Sequence, residues 1–502
     1  MQNKVNMEDT ISNENLKNRI ICKACNTGND ASATRCRKCW GRLTQKGFNT
    51  IVEPELVSSS YETQYLNDYR KTIANRAMIK WVLGLTITLF LILAWIINVF
   101  QFNVNIETIS PSSKVSNSQD INDWPMVQKN NHHTGLASEN DFSISEGVKW
   151  KFTTTDFIHT TPTIVENTIY IGTGDNKIIA LNTNNGNVIW ENTVNSPVDV
   201  SLSLTKDIAY ASLRDGRILA LDRKNGKEIW SYDTGEAIFG SVTIHNGAVY
   251  GGNTGKRIFS IDAKTGELLW DYFTESWVIT APAVKDNVVA VGSDDSYFYL
   301  LNAQNGNLRY KLRLGSGENT PTIIDDTAYF TTATRFGSRL NSFNIQRKNV
   351  RFAQGFIRWW FQLYAWNMAS KPANPIGYNW GVELRRETGG FQIRNEQVRS
   401  NLATDGEYIY VNTFEGNIRS IDIKNGDTLW KISKSANIQS SPILSGSTLV
   451  QLMNNGTIYG INKNDGSIIW EYMLNEEVYG SAILVNDTLY VPTVEGNLYA
   501  LG

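Results

Sequence analysis

Scarcity of a few residue types narrows what this chain can do. Of its 502 residues only four are cysteine, and Cys22, Cys25, Cys36 and Cys39 all fall in one short N-terminal stretch. No disulfide can therefore staple the long remainder of the chain. Histidine is equally rare: His132, His133, His159 and His245 show no metal-ligand spacing beyond one adjacent pair. Neither sign of charge dominates, since 47 Lys and Arg face 49 Asp and Glu, so no bulk field draws the protein to nucleic acid and none is expected as a partner. No Gly-rich phosphate loop opens a helix after a strand, and no nucleophile elbow is present. Proline is sparse at 11, whereas 38 Gly, 15 Trp and 21 Tyr suit a turn-rich β protein with aromatic packing between repeated units.

Long hydrophobic runs are absent with one exception. Residues 81–100, WVLGLTITLFLILAWIINVF, carry no charge. About 20 apolar residues at about 1.5 Å each match a bilayer core of about 30 Å, so a single transmembrane helix is expected over residues 77–101. The run lies too far from Met1, and lacks the small-residue cleavage site, of a removable signal peptide, which makes it an uncleaved signal anchor. Arg70, Lys71, Arg76 and Lys80 crowd its N-terminal flank, and the first cation beyond it is Lys114. The positive-inside rule then keeps the N-terminal segment in the cytoplasm and places the rest outside, at a cell membrane. The expected order is a disordered N-terminus (1–17), a zinc ribbon (18–45), a cytoplasmic linker (46–76), the membrane helix, an extracytoplasmic linker (102–122) and a large repeat domain (123–502).

The ribbon is read from Cys22-Lys-Ala-Cys25 and Cys36-Arg-Lys-Cys39, two CxxC pairs separated by ten residues. That spacing lets two tight turns each present two thiolates to one tetrahedral zinc. Four cysteines close the coordination sphere, so the metal is expected to be structural. Asn29-Asp30 sits where the chain is expected to reverse. The stretch resembles the short zinc ribbons of prokaryotic membrane proteins, and it has the Cys and Asn spacing of RanBP2-type fingers with Ile20 in place of their Trp. Arg35, Arg37, Lys38 and Arg42 give it a basic surface suited to acidic headgroups or an acidic partner.

A period of 40 residues organises the rest. ALNTNNGNVIW ends at Trp190, ALDRKNGKEIW at Trp230, SIDAKTGELLW at Trp270 and LLNAQNGNLRY at Tyr310; SIDIKNGDTLW and GINKNDGSIIW end at Trp430 and Trp470. Such a period, with four short strands per unit, predicts propeller blades. Asn-Gly and Asp-Gly supply positive φ for the hairpins, and Asp222, Asp262 and Asp422, with Asn182, Asn302 and Asn462, fix turns through their own backbone. Trp150, Trp190, Trp230, Trp270, Trp430 and Trp470 end outer strands and are expected to dock against neighbouring blades. A fifth unit ends near residue 351 without its Gly and Trp. The final unit lacks an outer strand, which Gly147-Val-Lys-Trp150 supplies. The expected fold is therefore all-β: an eight-bladed propeller of four-stranded blades closed by an N-terminal strand, with a ninth, degenerate unit as the alternative.

The A-x-[DN]-x-x-[NT]-G-x-x-x-W pattern, preceded by Asp123-Trp124-Pro125-Met126 and His133-Thr134-Gly135, resembles the PQQ-type propeller superfamily, which holds both quinone-dependent dehydrogenases and BamB-like assembly scaffolds. For the dehydrogenases the resemblance implies a quinone, a calcium or lanthanide ion with acidic ligands, and commonly a vicinal disulfide. The propeller has no cysteine, so that disulfide cannot form, and PQQ is not expected. The leading reading is a non-catalytic protein-interaction scaffold. A quinone-dependent or other redox enzyme and a glycan- or ligand-binding receptor stay open. Residues 353–398 break the repeat and are expected to be an insertion. Within them Phe356, Trp359, Trp360, Leu363, Tyr364 and Trp366 suit an aromatic helix, so residues 353–370 are a candidate contact for membrane, for partner, or for the propeller itself.

Overall fold

The computed structural model describes residues 19–43 in part, residue 71, residues 78–90 and, from 123 onward, all but 159, 318, 335–336, 385–395 and much of 347–376. The chain separates into two units, residues 1–98 and 99–502. In the second, eight antiparallel sheets are built on the repeat. Their inner strands begin with Thr163–Val165, Ser203–Leu204 and Thr243–His245 in blades one to three. Blades four to eight continue with Ala283–Lys285, Thr322–Ile324, Ala403–Thr404, Ile443–Ser445 and Ile483–Val485. Blade eight takes its outer strand from the N-terminal side: Val148–Thr153 pairs antiparallel with Asn497–Leu501. Gly147 and Gly502 exchange two backbone hydrogen bonds of 3.0 Å at the seam. Closure of this kind completes the last blade and joins the two ends of the ring, leaving only the short inner and outer edges of each blade.

One joint recurs between blades. The indole N–H of Trp190 donates to the carbonyl of Arg223 in the next blade at 2.7 Å, and the hydroxyl of Tyr170 donates to the same carbonyl at 3.3 Å. Trp230 and Tyr210 converge likewise on the Ala263 carbonyl, and Trp270 and Tyr250 on that of Ala303. Trp150 and Tyr490 share the Thr183 carbonyl across the seam. Trp430 reaches Lys463, and Trp470 reaches Phe142 in the segment before the first strand. Each indole lies on the turn glycine of the neighbouring blade: a Cβ on Gly186, Gly226, Gly266 or Gly306 would sit 2.6–2.7 Å from the ring of Trp150, Trp190, Trp230 or Trp270. The motif glycine thus serves twice, taking positive φ in the turn and making room for the ring. Asp222, Asp262 and Asp422 and their asparagine counterparts accept the backbone N–H two residues on, holding that turn open to the indole.

The fifth blade corrects the sequence reading. Its outer strand is Tyr378–Glu383, paired with Gly337–Asn344, and not a segment ending near residue 351. The stretch 353–398 is therefore not wholly an insertion, and the interruption falls between the third and fourth strands, from 345 to 377. Trp380, unassigned by the period because the interruption displaces it, docks on the Ile423 carbonyl at 2.9 Å beside Tyr329 and covers Gly426. No ninth sheet of the propeller type is present among the described residues. Between blades four and five, where the outer residue is Tyr310 and the turn has no glycine, the joint is aromatic: Phe298 stacks on Phe330 at 3.7 Å, and Tyr310 lies 4.6 Å from Phe343.

Gly266→Ala and Gly406→Ala both force alanine into positive φ, at +76° and +91°, but only the first meets an indole. The shared backbone cost is about 1–2 kcal/mol. Displacement of Trp230 adds about 1–3 kcal/mol in Gly266→Ala alone. Denaturant unfolding of the two variants side by side measures the difference.

Candidate functional site

The inner strand of each blade has one edge turned to the central channel, and its N–H and C=O groups need partners. Residues 123–147 supply them. Trp124 exchanges two 2.8 Å backbone bonds with Ile164 of blade one, and the Pro125 carbonyl accepts from Leu204 of blade two. Asn131, His132, Thr134 and Gly135 then accept from Val284, Ile323, Thr404 and Leu444, the inner-strand centres of blades four to seven. Blade three is reached through side chains, Asn131 to His245 at 2.8 Å and His133 to Thr243 at 3.4 Å. Leu136–Ser138 pairs in parallel with the inner strand of blade seven, and the Gly502 carbonyl of blade eight accepts from residues 145–147. The segment is a belt that touches all eight blades and crosses the channel beside their first turns. The sequence marked it only as a motif preceding blade one. Its turns were hidden because they use non-glycine residues at positive φ, Gln128, Lys129 and His133, which carry no composition signal.

Burial sets the chemistry of the belt. His133 is wholly buried between the Pro321 carbonyl and Thr243, and burial lowers its pKa from 6.5 to about 3. His132 falls to about 4 through burial, then through Lys285 and His245, with Asp286 opposing. Both imidazoles are held neutral, so they clamp the belt and do not shuttle protons near neutrality. His159 lies outside the described residues.

The opposite end of the channel carries the connections from each outer strand to the next blade. Phe239, Trp277 and Tyr479 are exposed there, at 44%, 51% and 40%. Arg214 is paired with Asp199 at 2.6 Å and lies 6.0 Å from the Phe239 ring, and Arg399 stands 4.1 Å over Phe414. Aromatic rings beside arginines have the composition of a protein-recognition surface.

Among the described residues, the only place where three or more His, Cys, Asp or Glu ligand atoms converge is outside the propeller. That place is Cys22, Cys25 and Cys36, whose sulfurs lie within 4.8 Å of one another and could hold a metal ion. Cys39 lies outside the described residues. Arg19–Ile21 pairs with Gly28–Asp30, so Asn29 sits within a strand and not at the expected reversal. Its buried side chain ties the two cysteine turns together: Oδ1 accepts the Arg37 N–H at 2.8 Å, and Nδ2 donates to the Thr27 carbonyl at 2.7 Å and toward the Cys36 sulfur at 3.5 Å. The Lys38 N–H also points at that sulfur. N–H groups aimed at sulfur favour the thiolate that a metal requires.

Of the aromatic segment, Phe356 and Trp359 lie outside the described residues. Trp360 and Leu363 are half-buried, and the Trp360 indole donates to the Ser370 carbonyl at 2.8 Å. Tyr364, Trp366 and Met368 are exposed, at 41%, 64% and 70%. The interruption leaves blade five at the belt end of the ring, where its third strand ends beside the first turn. Among the described residues no helix is long and apolar enough to cross a membrane, and residues 91–101 of the expected span lie outside them.

The family described as outer membrane protein assembly factor BamB matches residues 145–245, 214–347 and 365–502. BamB from Moraxella catarrhalis is similar in structure with a TM-score of 0.54 and 15% identity, over 72% of this chain and 97% of that one. The quinohemoprotein alcohol dehydrogenase from Comamonas testosteroni gives 0.59 and 14%, over 80% and 83%. A europium-containing methanol dehydrogenase gives 0.58 and 14%, over 74% and 89%. At these identities the likeness is one of fold. No curated protein matches the chain significantly.

Stability should fall with acid through the belt. Because the folded pKa values of His132 and His133 lie below 6.5, the unfolded chain binds protons that the folded one excludes. Stability is full above pH 6.5 and declines as pH drops toward about 4 and 3. For His133 the slope approaches about 1.4 kcal/mol per pH unit. Unfolding midpoints between pH 7 and pH 4 measure it, and His133→Gln should flatten the slope.

Proposed function

The chain belongs to the outer membrane protein assembly factor BamB family, and from that premise we propose that it is a membrane-anchored, non-catalytic scaffold whose propeller binds protein partners outside the cytoplasm. The observation that carries this reading is the belted channel. One end is crossed by residues 123–147, no carboxylate or imidazole cage converges in the propeller among the described residues, and the other end exposes Phe239, Trp277 and Tyr479.

Residues 78–90 support the anchor. They are helical and exposed on every side, Trp81 at 76% and Phe90 at 69%. A helix apolar all round is stable only when something apolar surrounds it. Its hydroxyls bond back to the helix, Thr86 to the Val82 carbonyl and Thr88 to that of Gly84, both at 2.8 Å, so from Trp81 to Phe90 no side chain carries an unmet hydroxyl into lipid, and the one cation, Lys80, stands near the N-terminal end. The charge asymmetry puts residues 1–76 in the cytoplasm and the propeller outside. The excursion that holds the exposed Tyr364, Trp366 and Met368 leaves and rejoins blade five at the belt end, and in this reading its aromatics are a contact for membrane or partner. The metal of the N-terminal module is zinc, held by Cys22, Cys25, Cys36 and Cys39, which organises the turns and takes no part in a reaction.

Photo-crosslinking tests the scaffold. A photoreactive residue placed at Phe239 or Trp277 of the full-length protein, in its native membrane, should trap a discrete polypeptide. Trp277→Ser should lower the yield of a crosslink made from Phe239 by about tenfold or more, the size expected for an aromatic anchor. Dye reduction by the purified protein supplied with quinone and calcium, in place of any crosslink, would instead identify a redox enzyme. Protease added to sealed right-side-out vesicles should cleave the propeller and spare residues 1–76. Metal analysis should find one zinc per chain, lost in Cys36→Ser.

A further inference from the structure

The second cysteine turn holds its side chains outward in an arrangement the metal site does not use. Arg35, Arg37, Lys38 and Trp40 are all exposed, the indole at 70%. Trp40 is at φ +60°, a conformation that bulky residues rarely adopt. Its N–H is bonded to the Cys36 carbonyl at 2.9 Å, so the turn that wraps the thiols also throws the ring into solvent. The Arg35 guanidinium lies 5.5 Å over the ring, which leaves the other face of the indole open. Asn29 fixes the backbone of Arg37, so the cations are carried by a rigid turn rather than a loose tail.

Charge identifies what would cover this surface. Residues 18–45 contain six cations and a single carboxylate, Asp30, an excess that survives the negative charge of a metal tetrathiolate. An indole ringed by arginine and lysine is matched to the boundary of an anionic bilayer, where the ring lies at headgroup depth and the cations meet phosphate. The tether is suitable: the chain from residue 44 to residue 77 is long enough, at up to about 3.3 Å per residue, for the module to reach the leaflet that the apolar helix enters. Linkage makes the encounter effectively intramolecular, so a weak site suffices.

We propose that the metal-organised turn bearing Arg35, Arg37, Lys38 and Trp40 docks on the anionic inner leaflet of the membrane that anchors the chain. This rests on the membrane reading above. Each cation held at such a surface contributes about fivefold in affinity. The test uses the full chain in nanodiscs of phosphatidylcholine alone or mixed with phosphatidylglycerol, with hydroxyl-radical labelling of Trp40 read by mass spectrometry. Labelling should fall at least about fivefold in the anionic discs only. The double variant Arg37→Glu, Lys38→Glu should abolish the difference while zinc content, unchanged, reports an intact module. Equal labelling of Trp40 in both discs overturns the proposal, whether the ring is open or covered in both. Failure of the chain to stay in discs through carbonate washing is a separate result that removes the anchor itself.

Discussion

The ring depends on one joint, in which a backbone carbonyl between the third and fourth strands of a blade receives two donors from the blade before it. In five blades these are a tryptophan indole and a tyrosine hydroxyl, whose rings lean on each other with centroids 5.8–6.0 Å apart in the four pairs Tyr170–Trp190, Tyr210–Trp230, Tyr250–Trp270 and Trp150–Tyr490. A buried carbonyl has two lone pairs, and the joint fills both. Burial of two large rings supplies the apolar term, and the paired hydrogen bonds fix the angle at which one sheet meets the next. Four-stranded sheets lack the area to be stable alone, so a repeated and directional joint is what turns them into a single body.

Much of this was legible in the sequence because the joint is written in it at fixed distances. Trp190, Trp230, Trp270 and Trp430 each bond a carbonyl 33 residues on, and the glycine three residues beyond that carbonyl marks where the ring must lie. Legibility failed where the spacing failed. Trp380 performs the same task at a distance of 43 residues, and no period points to it. The tyrosine partners went unread for another reason: in a β protein rich in aromatics, an alternating strand residue gives no hint that its hydroxyl shares an acceptor with an indole. Asn29 was read as a turn residue because of its type, whereas its amide serves as a bridge between two cysteine turns, a role visible only in three dimensions.

The belt separates this propeller from a generic ring. Stacked four-stranded blades leave a row of inner edges facing the channel. Here main-chain carbonyls of one irregular segment occupy those edges, and His133 among them is buried and neutral. The far face carries exposed aromatics, and blade five stands apart from the others, its joint to blade four rebuilt from four rings and its outer strand following a long excursion.

The belt also decides how the domain bears load. The chain enters the propeller through residues that are bonded to one inner strand after another, and the carboxyl end is locked to the same segment through Gly502. A pull on the amino-terminal side is therefore met by contacts at the axis, spread around the circle, and not by a single outer strand that could be unzipped bond by bond. A ring fastened in this way opens only when many bonds, dispersed around its axis, give way together.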